Sequence, residues 1–156
     1  MKWHLAQTNI GVAKYTYEDS QFAGFVSELD RINALAETSP GFVWRYVQED
    51  ESEAGREVFA DENVLFNMSM WESREALMNY VYHTEHVDIL RKRADWFIPQ
   101  DRPILALWWQ PAGTIPTVVE ARHRLDRLAQ AGPTEDAFTF RRFFEAPADE
   151  EIGNGG

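Results

Sequence analysis

The sequence predicts an α+β fold built around one antiparallel sheet. Three observations predict it. Apolar residues switch between a period of two and a helical period along the chain, and the segments so defined run β-α-β-β-α-β. The 156 residues, 44% hydrophobic and 13% aromatic, supply one core but not comfortably two.

Residues 2–12 alternate weakly and read as the first strand. Asp19 or Ser20 can then cap a helix whose apolar residues Phe22, Phe25, Val26, Leu29, Ile32 and Ala36 recur at helical spacing, until Ser39-Pro40-Gly41 stops it. Residues 42–48 are aromatic and β-branched and form a short strand, and residues 63–71 form a third. Ser73 caps the longest helical candidate, 74–97, which ends before Pro99. Its stripe at Ala76, Tyr80, His83, Val87, Leu90, Ala94 and Phe97 leaves Leu77 and Val81 on the far side. That conflict predicts a break near His83-Thr84, or else burial on two faces. Residues 102–110 make the fourth strand, closed by Pro111 and Gly113. Thr117-Val118-Val119-Glu120 is a capping box, and Val118, Ala121, Leu125 and Leu128 follow at helical spacing up to Gly132-Pro133. Residues 137–144 read as a last strand.

The first six elements give the split βαβ, ferredoxin-like arrangement, to which the chain adds a C-terminal α-β. One domain is expected over residues 1–145, with an acidic and Gly-rich tail, 146–156, expected to be disordered. Trp108 and Trp109 are consecutive in a strand, so they point to opposite faces and both faces must be covered. If helices cover only one, the other meets a second copy of the chain, which makes the expected assembly a homodimeric α/β barrel. The third strand divides the faces further. Val64, Phe66, Met68 and Met70 are wholly apolar, whereas Leu65, Asn67, Ser69 and Trp71 mix polar with apolar. A buried amide and hydroxyl need partners, so the mixed face holds either a local polar network or a pocket.

Composition bounds the function. With 15 basic against 26 acidic residues and a formal net charge of -11, the chain is repelled by phosphate backbones and anionic membranes, so neither nucleic acid nor membrane is an expected partner. The absence of cysteine excludes disulfides, thiolate metal sites and a cysteine nucleophile. No apolar run approaches the roughly 18 residues of a membrane span, and Met1 to Asn9 turns polar too soon for a signal peptide, so a cytoplasmic protein is expected. Residues 49–62 hold seven acids against Arg56 and carry -6 of the net charge, as a solvated loop would.

His83 and His86 are three apart on the long helix but lack a third metal ligand and the H-E-x-x-H spacing. Each reads as a hydrogen-bonded structural residue or as an acid-base or ligand-contacting group. His123 lies opposite the Ala121-Leu125-Leu128 stripe and faces solvent. No phosphate loop, dinucleotide fingerprint or nucleophile elbow occurs.

Asn67-Met68-Ser69-Met70-Trp71-Glu72-Ser73-Arg74-Glu75-Ala76-Leu77 resembles a family of small bacterial proteins of unassigned function in the dimeric α/β-barrel superfamily. Ser39-Pro40-Gly41-Phe42-Val43-Trp44-Arg45, Trp96-Phe97, Leu107-Trp108-Trp109-Gln110-Pro111-Ala112-Gly113 and Ala137-Phe138-Thr139-Phe140-Arg141 extend the likeness over residues 3–145. The wider superfamily includes antibiotic-biosynthesis monooxygenases, which oxidise polycyclic aromatic substrates without metal or flavin, and haem-degrading oxygenases. The resemblance to the former implies that Asn67 and Trp71 line a pocket, Asn67 orienting a substrate and Trp71 forming an apolar wall. His86 is then the candidate base, Arg45 a candidate anion stabiliser, and His83 and Trp109 complete the expected binding set. No cofactor is expected on this reading. The haem-degrading members carry a His at the position of Leu90, so a haem would need His83 or His86 instead. Three functions therefore stand as expectations: a cofactor-independent monooxygenase acting on an apolar or aromatic, polyketide-like molecule, a non-catalytic metabolite-binding or interaction dimer, and a haem protein.

Overall fold

The structure is a computed structural model and describes residues 2–16, 18–47 and 64–147. The acidic stretch 49–62 and most of the expected tail, 148–156, lie outside the described residues. Four strands form one antiparallel sheet: β1 (Trp3–Val12), β2 (Phe42–Arg45), β3 (Val64–Trp71) and β4 (Leu105–Pro111), in the order β2-β3-β1-β4. Five α-helices accompany them among the described residues: α1 (Ala23–Glu37), α2 (Arg74–His83), α3 (His86–Arg91), α4 (Arg93–Trp96) and α5 (Val118–Ala131). No helix is long and apolar enough to cross a membrane.

The helix starts follow from their caps. Asp19 accepts from Gln21 N and opens a 3-10 turn, Ser20–Phe22, that leads into α1. Ser73 Oγ accepts from Ala76 N at 3.1 Å to start α2, and Thr117 Oγ1 accepts from Glu120 N at 3.1 Å to start α5. Between α1 and β2, Gly41 has a φ of +83°, and its carbonyl accepts from Glu72 N at 2.8 Å. A Cβ there would lie 2.4 Å from that of Ala76, so this turn is pressed against the first turn of α2 and has room only for glycine.

Both faces of the sheet are covered, as the adjacent tryptophans require, but by one chain. Trp108 is fully buried beneath α5, with Ala6, Met68, Met70 and Ala121, and the Arg124 guanidinium lies over its ring at 5.2 Å. The sheet-facing stripe of α5 is the predicted one, Val118, Ala121, Leu125 and Leu128, all buried, while His123 is exposed. Helix α5 thus supplies cover on the face that the sequence reading assigned to a second copy. The Trp108 indole is satisfied locally, donating to Gln110 Oε1 at 2.9 Å. On the opposite face Leu5, Trp71 and Leu107 pack against Ile32, Ala36, Leu77 and Tyr80.

The expected break at His83-Thr84 is present, and the last strand differs from expectation. The 74–97 helix is three short helices, with the first break at Thr84, whose backbone is extended at φ -126° and ψ -174°. Within the first of them Leu77 and Tyr80 are buried, whereas His83, its last residue, is exposed, contrary to the stripe through His83. Residues 137–144 form no continuous strand. Phe138 exchanges two backbone hydrogen bonds with Leu107, at 2.8 and 2.9 Å, and the chain then turns, with Thr139 Oγ1 accepting from Arg142 N. Turning lets Phe143 and Phe144 fold back onto Phe138, which an extended strand would not allow.

Replacing Gly41 with Ala forces both a left-handed φ and an overlap with Ala76. Gly41→Ala should lower the unfolding free energy by about 2 kcal/mol or more, read from urea denaturation.

Candidate functional site

On the face opposite α5, helices α1, α2 and α3 roof the sheet without filling the space beneath them. A cleft of about 910 Å³ remains, within the usual size range of small-molecule sites. Part of its apolar wall comes from α1, where Phe25, Val26 and Leu29 are half-buried and border the cleft, Phe25 packing on Phe22, Trp96 and Phe97 as well. At one end the Phe97 ring lies against Gly11, where a Cβ would come within 2.7 Å of it.

The floor is polar and comes from paired strands. In the β1–β3 register Gln7 stands opposite Ser69 and Asn9 opposite Asn67, and all four line the cleft. Gln7 Nε2 donates to Asn67 Oδ1 at 2.7 Å and to Ser69 Oγ at 2.8 Å. Asn9 Nδ2 donates to Gln7 Oε1 at 3.0 Å and to Asn67 Oδ1 at 3.3 Å. Such a ladder of amides satisfies polar groups that the sheet buries.

His86 reaches the cleft because of the helix break. Thr84 Oγ1 donates to Tyr80 O at 2.5 Å, ending α2, and accepts from His86 N at 3.2 Å, starting α3. The imidazole sits 4.8 Å from the Tyr80 ring, and its Nδ1 is 3.3 Å from Val81 O. A carbonyl oxygen only accepts, so Nδ1 carries the hydrogen and Nε2 is the basic nitrogen. Burial pushes the His86 pKa below its ordinary 6.5, opposed more weakly by the Val81 bond. The neighbouring Tyr80 phenol donates to Ile32 O at 3.2 Å and stays protonated, since burial pushes its pKa up and Arg45 offsets this only in part.

Of the six residues expected from sequence, Asn67, His86 and Arg45 come together around the cleft. Arg45 arrives already engaged, donating from Nε to Glu37 Oε2 at 2.7 Å. The other three lie elsewhere. Trp71 is fully buried under Tyr80, stacked on it at 5.0 Å, and donates to Ser69 Oγ at 2.9 Å, so it supports the floor and is no wall of the cleft. His83 is the exposed last residue of α2 and does not line the cleft. Trp109 borders a separate hollow of about 430 Å³ with Trp3, Arg74 and Phe143, and its indole donates to Phe144 O at 2.9 Å. Sequence reasoning missed Gln7 and Asn9. The parity Leu5, Gln7, Asn9, Gly11 in β1 was the available signal, but only the register shows that they meet Asn67 and Ser69.

His86 has a testable signature. Its pKa is lowered in the folded chain, so between that value and 6.5 the unfolded chain binds the proton more strongly and folding stability falls as pH falls. An imidazole titration by NMR should place its midpoint below 6.5, and His86→Gln should lessen the loss of stability between pH 7 and pH 5 in urea denaturation.

No curated protein matches the sequence. In architecture the chain is similar to the NE2512 protein of unknown function from Nitrosomonas europaea, with a TM-score of 0.51 and 12% identity over 74% of this chain and 96% of that one. PA3566 from Pseudomonas aeruginosa aligns with a TM-score of 0.47 and 14% identity, over 70% of this chain and 94% of that one. At such identities the likeness concerns fold alone. A family model described as a domain of unknown function, DUF3291, matches residues 4–154, and the chain belongs to that family.

Proposed function

We propose that this ferredoxin-like unit binds a largely apolar, aromatic small molecule between sheet and helices, and that His86 acts on it as a base. The strand order β2-β3-β1-β4 and the β-α-β-β-α-β course support the fold. One observation carries the function: the half-buried apolar stripe of α1 faces a polar floor across a cleft that the described protein atoms leave open. A chain gains by burying Phe25, Val26 and Leu29, and a ligand completes what the protein does not.

The enzymatic form of this reading is cofactor-independent monooxygenation. His86 Nε2 takes a proton from an acidic C–H flanked by aromatic rings, and the Asn67 amide holds the oxyanion that forms. The resulting carbanion adds O2, and loss of water leaves a new carbonyl. Anthrone tests this, since anthrone plus O2 gives anthraquinone plus water. Wild-type protein with chelator present should form anthraquinone above the buffer rate, and His86→Ala should lower the enzymatic rate by about 100-fold or more. Anthrone binding without turnover would leave the non-catalytic reading, and no binding would overturn both.

The residues present argue against a haem in this cleft. Its propionates would meet Glu18, Glu28 and Asp30, and Arg45, the one Arg or Lys lining the cleft among the described residues, is already bonded to Glu37.

We attach a homodimer to this reading, because apolar Ile115 and Val119 stand 58% and 61% exposed at the start of α5. Light scattering should return twice the chain mass of 18.1 kDa, and a single-chain mass would remove the dimer without touching the cleft.

A further inference from the structure

At Asn67 and Ser69 the floor of the cleft has a hydrogen-bonding polarity that Gln7 sets, while beside them Asn9, whose amide hydrogens go to Gln7 and Asn67, keeps its oxygen as an acceptor. Gln7 is buried, at 5% exposure, and both hydrogens of its amide are committed, one to Asn67 Oδ1 and one to Ser69 Oγ. With Asn9 donating as well, the Asn67 oxygen receives two donors, which uses both its lone pairs. The Asn67 NH2 donates to no protein group among the described residues. Ser69 Oγ likewise accepts twice, from Gln7 and from the Trp71 indole, so its hydroxyl hydrogen is the part left unused. Facing the cleft, Asn67 and Ser69 can therefore only donate.

We infer that Gln7 is a specificity-determining positioning residue, which fixes the Asn67 amide with its NH2 available and makes the Asn67–Ser69 end of the cleft favour flat apolar molecules bearing an acceptor oxygen, a ketone, quinone or enolate, over analogues bearing no polar atom. This rests on the reading of the cleft as a small-molecule site and names the ligand class that the site takes. The same polarity suits an oxygen that gains negative charge, because a donor pair strengthens as the acceptor becomes anionic.

Three tricycles of nearly equal size separate these effects: 9-fluorenone carries an acceptor, carbazole a donor and fluorene neither. Equilibrium dialysis of the full chain should give fluorenone an affinity about tenfold above fluorene. In Gln7→Glu the side chain at position 7 can no longer donate, so the Asn67 amide turns to donate to it and shows its oxygen to the cleft. Fluorenone should fall to the level of fluorene and carbazole should rise above it. Asn67→Asp, at an exposed position, should give the same reversal by removing the donors directly, with Gln7 and Asn9 still bonded to it. Fluorene affinity, which needs no hydrogen bond, reports an intact cleft in each variant, and if Gln7→Glu loses it the Asn67→Asp ranking decides the donor polarity. Equal affinities for fluorenone and fluorene in the wild type would overturn the inference and leave the cleft standing, as would an unchanged ranking in the variants. Failure of every tricycle to bind would overturn the cleft itself.

Discussion

The register between β1 and β3 is the constraint on which the rest depends. Leu5 stands opposite Trp71, Gln7 opposite Ser69 and Asn9 opposite Asn67, and the alternate residues Ala6 and Thr8 stand opposite Met70 and Met68. Because side chains alternate with a period of two, a slip by one residue in either strand exchanges its two sets. Slipping β1 would drive Gln7 and Asn9 in among Met68, Met70 and Trp108, away from Asn67 and Ser69, and the cost of buried amides that lose their partners opposes it. The register is therefore held by polar groups as firmly as by apolar ones.

From that pairing come two unlike faces. Around Trp108 the methionine face is covered by α5, whose four buried residues and overlying Arg124 leave that ring no exposure, while toward β2 Trp44, Tyr46 and Phe66 are only partly buried. The other face is divided along its own length. Near Leu5, Trp71 and Leu107 it is packed by Tyr80, Leu77 and Phe138, and toward Asn9, Asn67 and Gly11 the helices stand off and the cleft opens. Trp71 joins the two regions, since its ring belongs to the packed core while its indole N–H closes the polar ladder at Ser69. Rigid packing on one side thus holds a hydrogen-bonding surface steady on the other, which is what a site that discriminates ligands requires.

The break at Thr84 gives the cleft its titratable group. One hydroxyl ends α2 by bonding back to Tyr80 and begins α3 by receiving His86 N, and the single extended residue, Thr84, changes the direction of the chain before His86. Burial beside Tyr80 then keeps the imidazole neutral, and Val81 selects its tautomer.

Local chemistry was legible in the sequence. The strands β1, β3 and β4, the caps at Asp19, Ser73 and Thr117, the α5 stripe, the break beside His83 and the demand for cover on both sheet faces each depend on residues within a few positions of one another, whose steric and hydrogen-bonding preferences act before the chain is folded. Asn67, Arg45 and His86 were also found, through likeness and helix phase. Tertiary structure alone decided that Gln7 and Asn9 belong with Asn67, that Trp71 lies beneath the floor, that Trp109 borders another hollow and that a helix of the same chain covers Trp108. Those outcomes turn on partners far apart in sequence, 60 residues for Gln7 and Asn67, and on where whole helices come to rest. No local preference encodes such distances. They are set by the arrangement that buries the apolar faces and joins Gln7, Asn9 and Asn67 between the strands.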